Sequence, residues 1–338
     1  MNIKDIAKLA GVGVSTVSRV INNHPDVKAE TREKILGIIK ESNYIPNNSA
    51  RILKQNTSKN IGLFVKGVFN PFFSQMINII GNRINEAGYN MILQQNDFRT
   101  KDDDIDNLIA FVKEKKLNGV ICLGGNFLKI TEDSFNAIEI PIVLASVDSI
   151  SSKNNGKYSL IAIDNVKAAY TATKYLVENG HTEIACILGE KNDLGISYLR
   201  LQGYKKTLEK NFIDFCESNI LIGNYNYKDA YKETMKILNT NKKLTAIFAI
   251  SDIMAIGAAK AVIDSNLRIG DDISIIGFDG MDISEFYNPS IATIKQPQEV
   301  MAKNSIDLLL DIINNRTQHK HLILPTTLIK ANSVKKIK

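Results

Sequence analysis

Apolar residues recur every three or four positions through the first 45 residues, which is the period of an amphipathic helix. In "IKDIAKLA", Ile3, Ile6, Ala7 and Ala10 fall on one stripe, with Asn2 placed to cap the helix and Asp5 in its first turn. Gly11 breaks the pattern. A second helix is expected from about Val14 to Ile21, "NNHPD" is turn chemistry, and a third helix from about Ala29 to Ser42 carries Ile35, Ile38 and Ile39 inward.

Residues 43–60, "NYIPNNSARILKQNTSKN", are polar. Pro46 opens one short amphipathic piece, Asn47 to Lys54, whose only large apolar residues are Ile52 and Leu53. It is too short to be stable alone. From Ile61 the grammar becomes strand–helix alternation: "IGLFVKG", a helix from "PFFSQM", "YNMILQQND", a helix from "DDDIDN", "LNGVICLGG" and "PIVLAS". It restarts at "YSLIAIDN" and runs through "IACILGE", a segment near 220, "AIFAI" and "ISIIGFD", with helices at 165–179, 197–210, 228–239 and 252–265. The tail reads "IATIKQP", a helix over 298–314 and one strand "HLILPTTLIKA". Such βα units imply parallel sheets with helices on both faces, here in two similar lobes.

This pattern divides the chain into a headpiece (1–45), a hinge and linker (46–60) and a core (61–338). The core is expected to split into an N-lobe of about 61–160 plus 291–321 and a C-lobe of about 161–290 plus 322–338. The fold class is α/β, with an all-α headpiece on a two-lobed core.

Charge sharpens the picture. The net charge is +6, and residues 1–60 hold ten Lys or Arg against five Asp or Glu. A basic N-terminal sixth on a nearly neutral body points to a polyanion, or to a solvated basic face. The three cysteines, Cys122, Cys186 and Cys216, are scattered with no C-x-x-C, which argues for buried reduced thiols rather than a disulfide framework or zinc site. "MNIKDIAKLAGV" has no apolar h-region, and no apolar run approaches the ~18 residues of a membrane span, so a cytoplasmic protein is expected.

The stretch "GVGVSTVSRVIN" interleaves two sets of side chains. Val12, Val17, Val20 and Ile21 suit packing against the flanking helices, leaving Val14, Ser15, Ser18 and Arg19 outward. A helix-turn-helix presents such groups to base edges, whereas an ordinary helical hairpin leaves them in solvent.

The segments "IKDIAKLAGVGVSTVSRVIN", "TREKI" and "YIPNNSARILK" resemble the DNA-binding headpiece of the lactose/galactose repressor (LacI/GalR) family. The likeness continues in order through "NPFF", "NGVI", "IAIDN", "NGHTEIACILG", "RLQGY", "AIFAISDIMAIGAAKAV", "ISIIGFDG" and "IATIKQP". It implies a repressor that binds a pseudo-palindromic operator as a homodimer and is controlled by a small sugar-like effector. The base-reading positions implied are Val14, Ser15 and Arg19, with Thr16, Ser18 and Asn22 on phosphates. Arg19 can donate two hydrogen bonds to a guanine, or make a plain phosphate contact. The 47–54 piece matches the family's hinge helix, with Leu53 as the wedge in the minor groove; the other reading docks Ile52 and Leu53 on the core. One departure is Gly13, where the family usually has a capping Ser.

The body resembles the periplasmic-binding-protein fold, whose ligands lie beyond the strand C-termini, between the lobes. The effector residues implied are Phe72, Phe73, Asp97, Asp148, Asp164, Arg200, Tyr225, Asp252, Asp279 and Gln296, with Asn96 beside them. Carboxylates and an Arg suit vicinal hydroxyls, and aromatic faces suit C–H patches. Asp164 and Asp252 also suit helix N-caps, and Phe72 or Phe73 the core. Asp148 is followed by Ser149, without the Arg that many sugar-binding members carry there, so a purine or phosphorylated ligand stays open, as does a phosphoprotein co-regulator.

No cofactor, metal or enzymatic activity is expected. Gly11-Val12-Gly13 lacks the third glycine of a dinucleotide fingerprint, "GISYL" is not G-x-S-x-G, and four scattered histidines form no cluster; His181 reads as a loop residue. A sugar receptor without DNA function accounts for residues 61–338 equally well, but not for the basic headpiece. No heptad tail supports a tetramer.

Overall fold

The computed structural model describes residues 1–21, 23–42, 44, 59–66, 71–96, 104–125, 132–147, 156–190 and 195–337. The chain forms two compact units, 1–58 and 59–338. The hinge helix expected over 47–54, with Ile52 and Leu53, lies outside the described residues, as do Asn22, Asp97 and Asp148.

The first unit holds α1 (Ile3–Ala10), α2 (Val14–Ile21) and α3 (Ala29–Glu41). A reciprocal capping box opens α1. Asn2 Oδ1 accepts from the Lys4 and Asp5 amides at 2.9 and 3.2 Å, and Asp5 Oδ2 accepts from the Asn2 amide at 2.8 Å. Gly11 closes the helix in the left-handed region (φ 71°), which lets the Val12 amide turn back to the Ala7 carbonyl at 3.0 Å. Ile6, Ala7, Ala10, Val17, Val20 and Ile35 form a small dry core, with Ile3, Val12, Ile21, Ile38 and Ile39 packed around it. These are the residues that the helical period points inward.

The second unit is built on two six-stranded sheets. The first comprises β1 (Asn60–Lys66), β2 (Asn90–Asn96), β3 (Gly119–Leu123), β4 (Ile142–Ala145), β5 (Ser159–Ile163) and β11 (His321–Leu324), in the order β11-β5-β4-β3-β1-β2, all parallel. The second comprises β6 (Ile184–Leu188), β7 (Ile220–Ile222), β8 (Ala246–Ala249), β9 (Ser274–Asp279), β10 (Ala292–Lys295) and β12 (Thr327–Ile329), in the order β12-β10-β9-β8-β6-β7. Only β12 runs antiparallel, against β10. Helices α4 (Pro71–Glu86), α5 (Asp104–Lys115) and α11 (Gln298–Ile313) cover the first sheet. Helices α6 (Asn165–Glu178), α7 (Ile196–Lys210), α8 (Tyr227–Thr240) and α9 (Asp252–Asp264) belong to the second, joined by the short α10 (Asp282–Phe286).

The central strands are buried on both faces and read as apolar runs. In β1, Ile61, Leu63 and Val65 join one core, and Phe64 joins the other with Leu108 and Phe111 of α5.

The crossovers differ from the lobe boundaries expected. β5 belongs wholly to the first sheet and β10 to the second. "HLILPTTLIKA" is two strands, β11 in the first sheet and β12 in the second, split at Pro325. A proline has no amide to give the ladder, so it marks the change of sheet. Which sheet a buried apolar strand joins is a matter of pairing, which a hydrophobic run does not encode.

Cys122 and Cys186 are buried, and burial pushes both thiols up. Cys216 corrects the expectation for all three by being exposed. His181 is buried too: Nε2 donates to the Lys335 carbonyl at 3.1 Å and Nδ1 lies 3.1 Å from Thr245 Oγ1, which ties the chain's tail to the second sheet.

Candidate DNA-reading surface and effector site

Helix α2 begins without a side-chain cap. The Gly13 carbonyl accepts from the Thr16 and Val17 amides at 2.9 and 3.2 Å, and glycine offers nothing to the remaining first-turn amides. Val17 and Val20 are buried. Val14, Ser15 and Arg19 are exposed on the opposite side, and Thr16 and Ser18 are half-buried between them. The five described candidates thus divide by the helical period, not by chemistry. The turn after α2 carries a contact the sequence reading did not foresee: Arg19 Nη1 lies 3.0 Å from Asp26 Oδ2.

In the second unit five of the candidate effector residues, Arg200, Tyr225, Asp252, Asp279 and Gln296, belong to the second sheet's lobe, four of them just at or beyond strand ends. Arg200, from α7, is 3% exposed, so its charge must be met inside the protein. Nε donates to Asn165 Oδ1 at 3.0 Å, Nη1 donates to the Ile250 carbonyl at 2.5 Å, and Asp279 Oδ1 lies 3.9 Å from Nη1. The guanidinium stacks on the Phe278 ring, with Cζ 3.6 Å from its centroid.

Asp279 ends β9 with φ 121°, a backbone region that favours glycine. Gln296 Nε2 donates to Asp279 Oδ1 at 2.8 Å, and the Gln296 amide donates to the Asp279 carbonyl at 3.0 Å. Two acceptors of this pair, Asp279 Oδ2 and Gln296 Oε1, are buried with no hydrogen-bond partner. Burial raises the Asp279 carboxyl above the ordinary carboxylate range, against the pull of Arg200 and with a further push from Asp252.

Asp252 stands behind this pair. The Met281 amide and the Thr293 hydroxyl each donate to one of its oxygens at 2.7 Å, and its residue is fully buried. Burial raises its carboxyl as well, though these hydrogen bonds hold it down. Both oxygens brace the strand ends of β9 and β10. The alternative cap role is displaced, because Ser251 Oγ accepts from the Met254 amide and caps α9.

Asp164 is exposed and does cap α6, accepting from the Lys167 amide at 2.8 Å. Tyr225 holds φ 51° and reaches Ser197 Oγ at 3.0 Å. Its ring lies so close over Gly189 that a Cβ there would sit 2.0 Å from it. Ser197 and Arg200 are one turn apart on α7, so Tyr225 and the guanidinium are fixed by the same helix.

On the first sheet, Phe72 and Phe73 pack edge-to-face at 5.2 Å and are buried in the core, the bland reading of the two. Asn96 Nδ2 is buried without a partner at the end of β2. Sequence reasoning missed Asn165, Phe278 and Thr293, and also the buried ion pair Lys66–Asp104 (2.8 Å) at the end of β1. The aromatic before Asp279 in "GFD" was the one available signal. Among the described residues no group of three His, Cys, Asp or Glu is arranged to hold a metal, and no helix is long and apolar enough to cross a membrane.

Residues 2–47 match the model for bacterial regulatory proteins of the lacI family, and residues 173–334 match a periplasmic binding protein-like domain. The HTH-type transcriptional regulator MalR of Clostridium butyricum is 60% identical over 334 residues, covering 98% of this chain and 99% of the relative. This chain belongs to the LacI family. As a LacI-family member it is a DNA-binding transcriptional regulator, not an enzyme. Two solved LacI-family regulators share its architecture. The lac repressor dimer bound to operator and the anti-inducer ONPF superposes with TM-score 0.77 at 26% identity, covering 99% of each chain. The CelR–cellobiose complex superposes with TM-score 0.70 at 27% identity, covering 98% of this chain and 99% of CelR.

Proposed function

We propose that this LacI-family protein represses carbohydrate-utilisation genes as an operator-bound homodimer in the cytoplasm, and that a neutral sugar held beyond the strand ends of the core sets its operator affinity. The observation that carries the ligand class is the pair of buried acceptors without partners, Asp279 Oδ2 and Gln296 Oε1, beside Arg200. Two neighbouring acceptors call for two neighbouring donors, which a vicinal diol supplies. A phosphorylated ligand would bring its anion beside two buried carboxyls and oppose the ionised form of Asp279 that accepts from hydroxyls. Tyr225 offers an aromatic face for the C–H patches of a pyranose. The cellobiose in the CelR complex supports the same class.

The headpiece supplies affinity through its basic residues and discrimination through the exposed edge of α2, where Arg19 donates to a guanine and Val14 and Ser15 add weaker contacts. Sugar in the core need favour one arrangement of the lobes by only about 1–3 kcal/mol to change operator affinity about 5- to 150-fold. The test is isothermal titration of the full chain with maltose, cellobiose, lactose, glucose 6-phosphate and hypoxanthine. Binding of a neutral disaccharide that Asp279→Asn abolishes supports the proposal. Binding of only the phosphate ester or the purine contradicts it.

A further inference from the structure

The base-reading arginine is exposed, and a free arginine loses rotamer freedom when it docks. In this protein its position is already set. Asp26 takes two partners, one on each carboxylate oxygen: Arg19 Nη1 at 3.0 Å on Oδ2 and His24 Nδ1 at 2.8 Å on Oδ1. The turn that carries Asp26 is tied to both neighbouring helices. The Asn23 amide donates to the Val20 carbonyl at 3.0 Å, and the His24 amide donates to the carbonyl of Arg19 itself at 2.9 Å. From α3, Arg32 donates through Nη1 to Asn23 Oδ1 at 2.6 Å and through Nη2 to the His24 carbonyl. A chain of contacts thus runs from α3 through the turn to the Asp26 carboxylate and on to the Arg19 guanidinium.

We propose that Asp26 is a positioning residue for operator recognition, holding the Arg19 guanidinium by one edge so that its opposite edge is presented to a base. The inference rests on the assignment of Arg19 to a base edge. The chemistry allows both contacts at once. A guanidinium carries five N–H donors in a planar fork, the ion pair engages Nη1, and guanine O6 and N7 need two parallel donors. Asp26 also carries a negative charge toward a polyanion, which weakens contact with any duplex equally. Its two effects therefore act in opposite directions: it lowers affinity for random DNA and sharpens preference at one base pair.

The experiment uses the full-length protein and the duplex it selects from a randomised pool. Affinities are measured for that duplex, for its single-base variants and for a random duplex, with wild type, Asp26→Asn, Arg19→Ala and the double variant. Wild type is expected to prefer one guanine about 5- to 150-fold. Arg19→Ala removes that preference. Asp26→Asn reduces it about two- to fivefold, the range of an exposed ion pair, while affinity for random DNA rises. In the Arg19→Ala background, Asp26→Asn changes no base preference. The proposal is overturned if Asp26→Asn weakens all duplexes alike, as a merely structural role would, or leaves the preference intact while Arg19→Ala removes it. If Arg19→Ala itself leaves every preference unchanged, the base-reading assignment fails and the proposal falls with it.

Discussion

Arg19 and Asp279 carry the two halves of the account, and each makes a prediction at its own position. Arg19→Ala should cost about 1–3 kcal/mol against the selected duplex and relax one operator position, measured by binding to single-base variants. A uniform loss over all sequences would make Arg19 a backbone contact instead. Asp279 makes the core sensitive to pH. Burial raises its carboxyl, so the folded unliganded protein binds a proton that the unfolded chain releases at the ordinary value, about 4. The folded state binds more protons over that interval, so core stability falls as pH rises from about 4 through the raised value. Sugar hydroxyls donating to the carboxylate favour its ionised form. Binding should therefore release a proton and tighten as pH rises through the same window, which titration calorimetry in buffers of different ionisation enthalpy measures. Asp279→Asn should remove the proton release on binding and leave only the smaller pH dependence of stability that the buried Asp252 contributes.

Helices and strands show what a hydrophobic pattern can and cannot encode. The three headpiece helices were legible because Ile6, Val17, Val20 and Ile35 recur at the helical period and the Asn2–Asp5 box marks the first turn. The βα rhythm of the core was legible for the same reason. The partners of β10 and β11 were not, since apolar strands buried on both faces look alike until they pair. Side-chain roles at strand ends were half legible. Asp279 and Gln296 stood out as polar residues ending apolar runs and Arg200 through the family resemblance at "RLQGY", but the brace formed by Asp252 and Thr293 depends on two strands meeting. The Lys66–Asp104 pair escaped because a charge at the end of a strand reads as solvated, and nothing local says that a helix start will bury it. The cap of α2 yields a further prediction. Gly13 has room for a side chain, its nearest neighbour being Ser15 Oγ at 3.4 Å, so Gly13→Ser should stabilise the headpiece by a few tenths of a kcal/mol, read as a raised Tm. An unchanged or lowered Tm would mean that the added hydroxyl does not reach the first-turn amides.

At the scale of the whole molecule, a small helical unit with its own core accompanies a large α/β unit. A ligand stabilises only what binds it, by RT ln(1 + [L]/Kd), so saturating sugar at about 100 times Kd should raise the stability of the core unit by about 2.7 kcal/mol. Calorimetry should show the core transition moving while the headpiece transition stays in place. The measurement that bears most directly on the central claim is the operator affinity of the full-length protein at fixed salt, titrated with the neutral disaccharide it binds. The account predicts a change of about 5- to 150-fold at saturation, lost in Asp279→Asn. A disaccharide that binds the core and leaves operator affinity unchanged would contradict it.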